Sequence, residues 1–419
     1  MVITMDQEVA KNLVKEGATF VLKNIPKGSE FGIDMVSYNV GDKFKGLKMI
    51  PPGLHFINYS AVSTYDNAVA PKSGFFHFFK PKEMLVKSWD VQGEDMSQEV
   101  ASEEETQRFR DNLMGDLDQF LGPYDYEMYQ RWKSLTDYIS PEVVKKLNPK
   151  SGRINSAAHL ISRPFRSSTR NQSDETVSST RNQLDETVSS TRNQSNETVS
   201  NTRNQSSDET VSSTTRTRDD EKVSSMLPEM DEDERSAINF TKLEGLKSHP
   251  ENSSAAEISR HSMDRSYQLE QLMNEWGGSL DNILGEIQFS FVCFLVGQVY
   301  EAFEHLKSLL KIVCSSNSFI ARHPSFFMNF IRVLHFQLKE VPTDFFIDIV
   351  DNDNFLLSIL KTLFYNIENC DESFDSVQQL KARSDRFKKT LVEKFKWNFD
   401  VETEGDDEAP VYVQLDDTS

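Results

Sequence analysis

Apolar side chains recur at steps of three and four positions through residues 284–313, the longest such run in the chain. This spacing places them on one face of an α-helix. Within residues 287–296 nearly every side chain is apolar, so this part must be surrounded by protein or by lipid. A bilayer span takes roughly 20 apolar residues, and Glu286 and Gln298 flank a shorter run. The pattern predicts the central helix, or a tightly joined helix pair, of a helical domain.

The apolar residues of the N-terminal part of the chain follow a different spacing. A helix is predicted over residues 7–16, between a capping Asp6 and a terminating Gly17. Short runs rich in Val, Ile, Phe and Tyr follow at residues 18–22, 32–40, 46–50, 54–59, 74–79 and 84–89. Turn signals such as Gly41-Asp42 separate them. Short strands at this spacing predict an antiparallel sandwich or barrel.

Helical spacing returns after Ser97. An apolar helical face is predicted to end at Gly122-Pro123, and Ser140 followed by Pro141 begins another helix. Between them lies an aromatic face made of Tyr126, Tyr129, Trp132, Leu135 and Tyr138. Aromatic stripes at helical spacing usually belong to a core, so these helices are expected to pack against the sheet. Residues 1–150 are therefore interpreted as a β-sandwich-like domain with packing helices.

The segment 151–250 lacks the pattern of a folded domain. Residues 167–177, 178–188 and 189–199 repeat one 11-residue unit, and two less regular copies follow. Each unit offers a single Val, with one additional Leu at position 184. Burying so little apolar surface cannot offset an ordering cost of about 1–2 kcal/mol per backbone residue. The segment is predicted to be a disordered linker.

Amphipathic helices without strand-like interruptions describe residues 251–400, and Ser254 is positioned to cap the first of them. This part is predicted to be an all-α helical domain. The whole chain is thus an α+β multidomain protein by its sequence.

The final stretch, residues 401–419, is acidic: it carries seven Asp or Glu residues and no Lys or Arg. Within it Val411, Val413 and Leu415 alternate with Tyr412 and Gln414, which is the period of a strand. The stretch could be a disordered tail, a strand folding back on the N-terminal sheet, or a strand lent to the sheet edge of a partner. In the third case Val411, Tyr412, Val413 and Leu415 would be the partner-binding residues.

No catalytic motif is present in the sequence. There is no phosphate-binding loop, no dinucleotide fingerprint, no H-E-x-x-H, no paired C-x-x-C and no nucleophile elbow. The eight histidines are scattered, and His55 with Asp34 is the only weak suggestion of an enzyme site in the β-rich part. The three cysteines, at 293, 314 and 370, are expected to be reduced and buried. We therefore expect no catalysis, cofactor or metal, with an unrecognised site in the N-terminal domain as the alternative.

Net charge is −20 and the isoelectric point about 4.9. Tight binding to nucleic acid needs a dense basic face, so a direct RNA-binding role is not favoured. The first residues show no basic region followed by an apolar one, and a location in the cytoplasm or nucleus is expected.

Two sets of segments resemble a known family. The N-terminal set is EGAT at 16–19, PKGSEFGID at 26–34, GLKMIPPGLHF at 46–56 and LDQFLGPY at 117–124. The C-terminal set is AEISRHSMD at 256–264, LGEIQF at 284–289, YEAFEH at 300–305 and PTDFFIDIV at 342–350. Together they closely resemble the Aar-two splicing factors, which are assembly factors of the U-five small nuclear ribonucleoprotein. The 11-residue repeat is not part of the family pattern.

The resemblance implies a β-rich N-terminal domain, a helical C-terminal domain and a non-enzymatic role. It implies binding to the spliceosomal scaffold Prp-eight, at its RNase-H-like and Jab/MPN domains, during cytoplasmic assembly of the particle. Premature docking of RNA and of the partner helicase would be blocked until nuclear maturation. Residues 411–415 match the position at which a family tail adds a strand between the two partner domains.

Overall fold

The structure is a computed structural model that describes residues 6–62, 69–91, 93, 95–99, 101–113, 115–156, 236–342, 355–371 and 374–399. The linker was predicted at residues 151–250, and its central part, residues 157–235, lies outside these ranges, as does the strand-like segment at residues 411–415. At its two ends the prediction of disorder is wrong, because Ile154 lies in a strand and Ile238 is buried in the core. The described parts of residues 1–158 and 232–419 belong to one compact unit.

The strands form two five-stranded sheets. Their bounds are β1 Ala18–Lys23, β2 Glu30–Ile33, β3 Val36–Asn39, β4 Gly46–Ile50, β5 Gly53–Ser60, β6 Ser73–Phe79, β7 Met84–Asp90, β8 Asp95–Met96, β9 Leu121–Pro123 and β10 Ile154–Asn155. The first sheet has the order β8-β7-β1-β4-β9, and the second has the order β10-β6-β5-β2-β3. Pairing is antiparallel except for β1 with β7 and β4 with β9, which are parallel.

The two sheets pack face to face, which confirms the sandwich-like domain. Phe20 of β1 and Phe31 of β2 come from different sheets, and their rings stack with centroids 5.5 Å apart. Leu47, Ile57 and Tyr59 are buried in the same apolar cluster. Alternate side chains of each strand point to one face, so one face of each sheet supplies this core.

Strand β5 is buried on both faces. Ile57 and Tyr59 point into the sandwich, whereas Phe56 lies in the other apolar cluster, which contains the helices. Every side chain from His55 to Ser60 is buried, as expected of a strand covered on two sides. The second sheet is therefore the middle layer of the described unit.

Two local predictions differ from the structure. Residues 32–40, predicted as one strand, are split between β2 and β3 by a tight turn at Asp34, whose φ is +57°. The apolar helical face predicted to end at Gly122-Pro123 is shorter, because the helix ends at Asp111 and residues 121–123 become β9. Strand β4 has an open edge there, and its backbone groups bind this short segment.

The helices are α1 Gln7–Glu16, α2 Glu103–Asp111, α3 Tyr129–Thr136, α4 Pro141–Leu147, α5 Ala255–Met263, α6 Ser266–Glu275, α7 Leu280–Leu295, α8 Tyr300–Cys314, α9 Asn317–Arg322, α10 Pro324–Glu340, α11 Phe355–Glu368 and α12 Asp375–Phe395. The predicted caps are confirmed: Asp6 accepts from the Glu8 amide, and Ser254 forms a capping box with Glu257. The C-terminal helical region agrees with the predicted fold class.

The long apolar run is a pair of helices, the second of the two interpretations. Helix α7 ends at Leu295, and α8 begins at Tyr300 after a turn in which Gln298 has φ +58°. Gly285 lies where α7 crosses the chain after α3: a Cβ there would come 2.5 Å from the Tyr138 carbonyl oxygen. This glycine is a packing requirement, since no side chain fits between the two segments.

The helices and the second sheet share one hydrophobic cluster. Phe76 of β6 stacks on Phe289 of α7 with ring centroids 4.7 Å apart, and the Trp132 indole of α3 donates to the Leu54 carbonyl oxygen at 2.7 Å. The segment after residue 235 joins this packing, because Ile238 is buried in the same cluster. Ile154, close to the other end of the sequence-predicted linker, is buried in β10.

Candidate functional site

His55 and Asp34, the weak enzyme candidates of the sequence, are in direct contact. Asp34 lies in the turn between β2 and β3, and His55 on the neighbouring strand β5. The His55 Nδ1 and Asp34 Oδ2 atoms are 2.7 Å apart, and His55 Nε2 lies 2.8 Å from the Pro51 carbonyl oxygen. Both ring nitrogens thus lie within hydrogen-bond distance of oxygen atoms inside the core.

Two further groups donate hydrogen bonds to Asp34. The Tyr124 hydroxyl donates to Oδ2 at 2.6 Å, and the Phe56 amide donates to Oδ1 at 3.0 Å. Burial, and then the nearby Asp34 charge, raise the pKa of Tyr124 well above its usual value. The phenol therefore stays protonated and serves as a donor.

This network gives a substrate no access. The His55 side chain is 0% exposed and that of Asp34 is 1% exposed, and the rings of Phe79, Tyr124 and Tyr129 surround the imidazole. A general base must come within hydrogen-bond reach of the proton that it removes. The pair instead ties the β2–β3 turn to β5 and to the segment that follows β9.

A second buried carboxylate, Glu286 of α7, was not identified as a candidate functional residue from the sequence, where it only flanks the apolar run. Its side chain is fully buried. It accepts from the Thr241 amide at 2.9 Å, the Thr241 hydroxyl at 2.9 Å and the Trp276 indole at 2.8 Å. His305 Nε2 of α8 is a fourth partner at 2.9 Å. The sequence feature that could have identified Glu286 is its position as a single acidic residue directly before a run of apolar residues.

These four contacts join three separate parts of the chain to α7. Thr241 belongs to the segment that precedes α5, Trp276 follows α6, and His305 lies on α8 with its ring stacked on Phe240 at 4.2 Å. Burial alone would raise the pKa of Glu286, but the hydrogen bonds and the His305 interaction outweigh it and hold that pKa below its usual value. The carboxylate is thus ionised at neutral pH.

The three cysteines are free, and they differ in burial. Cys293 and Cys314 are free thiols in the core, as predicted, and burial raises the pKa of both. Cys370 is only partly buried.

Among the described residues no group of three or more His, Cys, Asp or Glu side chains is placed to hold a metal ion. Within the same ranges, every helix is too short or too polar to cross a bilayer.

The predicted partner-binding residues Val411, Tyr412, Val413 and Leu415 lie outside the described residues. The structure does define where the preceding chain is anchored. After α12, Lys396 adopts a left-handed conformation with φ 59°, Trp397 stacks on Phe395 at 4.6 Å, and Phe399 packs edge-on against Phe364 of α11 at 5.1 Å.

Comparison with known proteins identifies the family. A family model described as the AAR2 N-terminal domain matches residues 16–149, and one described as the AAR2 C-terminal repeat region matches residues 240–400. A "Protein AAR2 homolog" from Homo sapiens is 38% identical over 415 residues, covering 99% of this chain and 97% of that protein. The chain belongs to the AAR2 family.

Other AAR2 proteins show the same extent of similarity. The Mus musculus AAR2 homolog is 38% identical, with coverage of 98% of this chain and 97% of that protein. The Caenorhabditis elegans AAR2 homolog is 35% identical, with coverage of 94% and 98%. Both buried carboxylate networks fall within the two ranges matched by the AAR2 models, whereas the 11-residue repeat lies between them.

Proposed function

We propose that this protein is a non-enzymatic assembly factor in pre-mRNA splicing. It binds the Prp-eight scaffold, at the RNase-H-like and Jab/MPN domains, during biogenesis of the U-five particle, and it blocks premature docking of RNA and helicase. Its cycle takes it through the cytoplasm and the nucleus. The observation that carries the proposal is the AAR2 similarity, which extends over nearly the whole chain.

The described geometry is compatible with a role in protein binding. The candidate acid–base pair, His55 and Asp34, is sealed inside the β-rich part, so the alternative of an enzyme loses its best-placed residues. A chain of net charge −20 can cover a basic RNA-binding face and repel RNA from it by charge as well as by bulk.

In this proposal the tail forms part of the contact with the scaffold. Residues 411–415 have the alternation of a strand, and a strand added to an open sheet edge gains affinity from backbone hydrogen bonds and specificity from alternate side chains. The last described residue before this segment, Phe399, packs against Phe364 of α11.

Deleting residues 409–419 is expected to weaken binding to a scaffold fragment containing both partner domains by about tenfold or more, or about 1.4 kcal/mol. The melting temperature should change little, because the deletion removes none of the residues that form the described core. Calorimetric titration measures the affinity. A Val413→Pro variant removes one backbone donor and should reproduce much of the loss, whereas Thr418→Pro, outside the strand-like segment, serves as its control. Equal affinity for all four proteins would remove the strand from the proposal.

Charge complementarity predicts a salt-dependent association. The association rate constant with the scaffold fragment should fall by about tenfold between low and high salt, since screening removes electrostatic steering. Stopped-flow measurement should show a much smaller change in the dissociation rate. An association rate that does not respond to salt would mean that the acidic surface plays no part in recognition.

A further inference from the structure

An open groove runs between α10 and α12. Ile331, Phe336 and Phe387 line its apolar part, and Arg332, Arg383 and Arg386 line its basic part, around a volume of about 320 Å³. A second depression of about 410 Å³ also contains Arg383 and Arg386, together with Met328. Because the two share these arginines, they form one continuous surface along the helix pair. We call it the α10–α12 groove.

The groove is a basic region on a strongly acidic protein. Residues 375–396 contain seven Lys or Arg and three Asp or Glu, against a net charge of −20 for the chain. Arg332 pairs with Asp137 at 2.8 Å, and Arg383 donates to the Met328 carbonyl oxygen at 3.0 Å. Arg386 is exposed, and its Nε donates to the Ala382 carbonyl oxygen of its own helix. The groove thus offers cationic groups beside a partly exposed Phe336 ring, with Ile331 and Phe387 almost fully buried at its floor.

A ligand suited to this surface combines carboxylates with apolar side chains. The C-terminal segment 401–419 has this composition: Val411, Val413 and Leu415 lie between acidic clusters at residues 402–408 and 416–417. A basic groove with an apolar floor complements such a segment in both respects.

The same segment is tethered next to the groove. Phe399 packs on α11, and its ring lies 5.9 Å from the Lys388 Nζ of α12. An extended chain covers about 3.3 Å per residue, so residues 400–410 reach about 36 Å, which exceeds the length of about 30 Å expected for a helix such as α12. A short tether gives an effective concentration on the order of millimolar, so even weak complementarity populates the intramolecular contact.

We propose that the α10–α12 groove binds the C-terminal segment 401–419 of the same chain. The carboxylates lie against Arg383 and Arg386, and the apolar residues of 411–415 lie against Ile331, Phe336 and Phe387. In the free protein this contact covers the strand-like segment, and a partner competes with the groove for it. The contact in the free chain is independent of the proposed splicing role.

The test is photo-crosslinking in the full-length chain with a Tyr412→p-benzoylphenylalanine variant. We expect cross-links within one polypeptide, to peptides covering residues 325–340 or 379–391, identified by mass spectrometry. Adding Arg386→Glu should reduce these cross-links at least about fivefold, and so should high salt in the chain with native Arg386. Lys389→Glu is the matched control, since Lys389 is exposed on the same helix but does not line the groove, and it should change the yield little.

Three results would overturn the inference. The first is cross-links to other parts of the chain, and the second is cross-links that join two polypeptides. The third is a yield of cross-links to the groove peptides that neither Arg386→Glu nor high salt changes. Melting temperatures of both charge variants should match that of the parent because both side chains are exposed, so a loss of cross-linking cannot be assigned to unfolding.

Discussion

The Glu286→Ala variant is expected to lose about 3–5 kcal/mol in its free energy of unfolding. Removing the carboxylate leaves the Trp276 indole and both the amide and hydroxyl of Thr241 without their acceptor inside the core. Each buried donor left unsatisfied costs about 1–3 kcal/mol, and removing one partner of a buried charged pair costs a similar total. Urea unfolding of the full-length chain measures the difference.

The control is Glu393→Ala, which removes an exposed carboxylate from α12 and should change stability by no more than about 0.5 kcal/mol. Glu286→Gln, which keeps an acceptor oxygen, should fall between the two. Parent-like stability of Glu286→Ala would show that the network contributes nothing net.

The same network has a pH signature. Because Glu286 has a folded-state pKa below its unfolded value, its stabilising contribution is complete above the unfolded value of about 4.3 and is lost as pH falls through the folded-state pKa. The stability difference between the parent and Glu286→Ala should therefore be largest near neutral pH and shrink below about pH 4.3. If the stability difference between the parent and Glu286→Ala stayed constant from neutral pH to below about pH 4.3, the ionised state assigned to Glu286 would be contradicted.

Phe289→Ala is expected to lower the free energy of unfolding by about 3–5 kcal/mol, the usual range for deleting a fully buried aromatic ring. Phe289 stacks on Phe76 of the second sheet, so the cavity would open where helix and sheet meet. We therefore expect hydrogen exchange to increase together in peptides from β5 and β6 and in peptides from α7 and α10.

Phe374→Ala provides the comparison, because it makes the same chemical change at a side chain that is 64% exposed; it should alter stability by about 0.5 kcal/mol or less. Faster exchange confined to the helices, with the sheet unaffected, would show that the two parts unfold independently despite their shared core.

Local features of the structure followed well from the residues. Helix α1 begins at Asp6 as its capping side chain indicates, and α4 begins at Pro141 with the Ser140 side chain accepting from Val143. Strands β1, β4, β5, β6 and β7 lie within one or two residues of their predicted bounds. Each of these features depends on side chains only a few positions apart, so periodicity and capping contain the necessary information.

Features that depend on distant residues were not predictable in this way. Residues 121–123 continue a helical pattern in sequence, yet they pair with β4, some 75 positions earlier. Glycine is a poor helix former, yet Gly285 is required within α7, because a Cβ there would meet the Tyr138 carbonyl oxygen. In both cases the partner segment decides the conformation, and local spacing does not identify that partner.

The sequence by itself determined the two periods of the chain, the ends of several helices, the acidic character of the tail and the family resemblance. Only the tertiary structure decided that His55 and Asp34 form a sealed contact, that Glu286 is a buried acceptor, and that basic side chains of α10 and α12 share one groove. The physical reason is that burial and hydrogen-bond partnership are properties of contacts between distant segments. The spacing of apolar side chains reflects only interactions between residues within one or two turns of each other in the sequence.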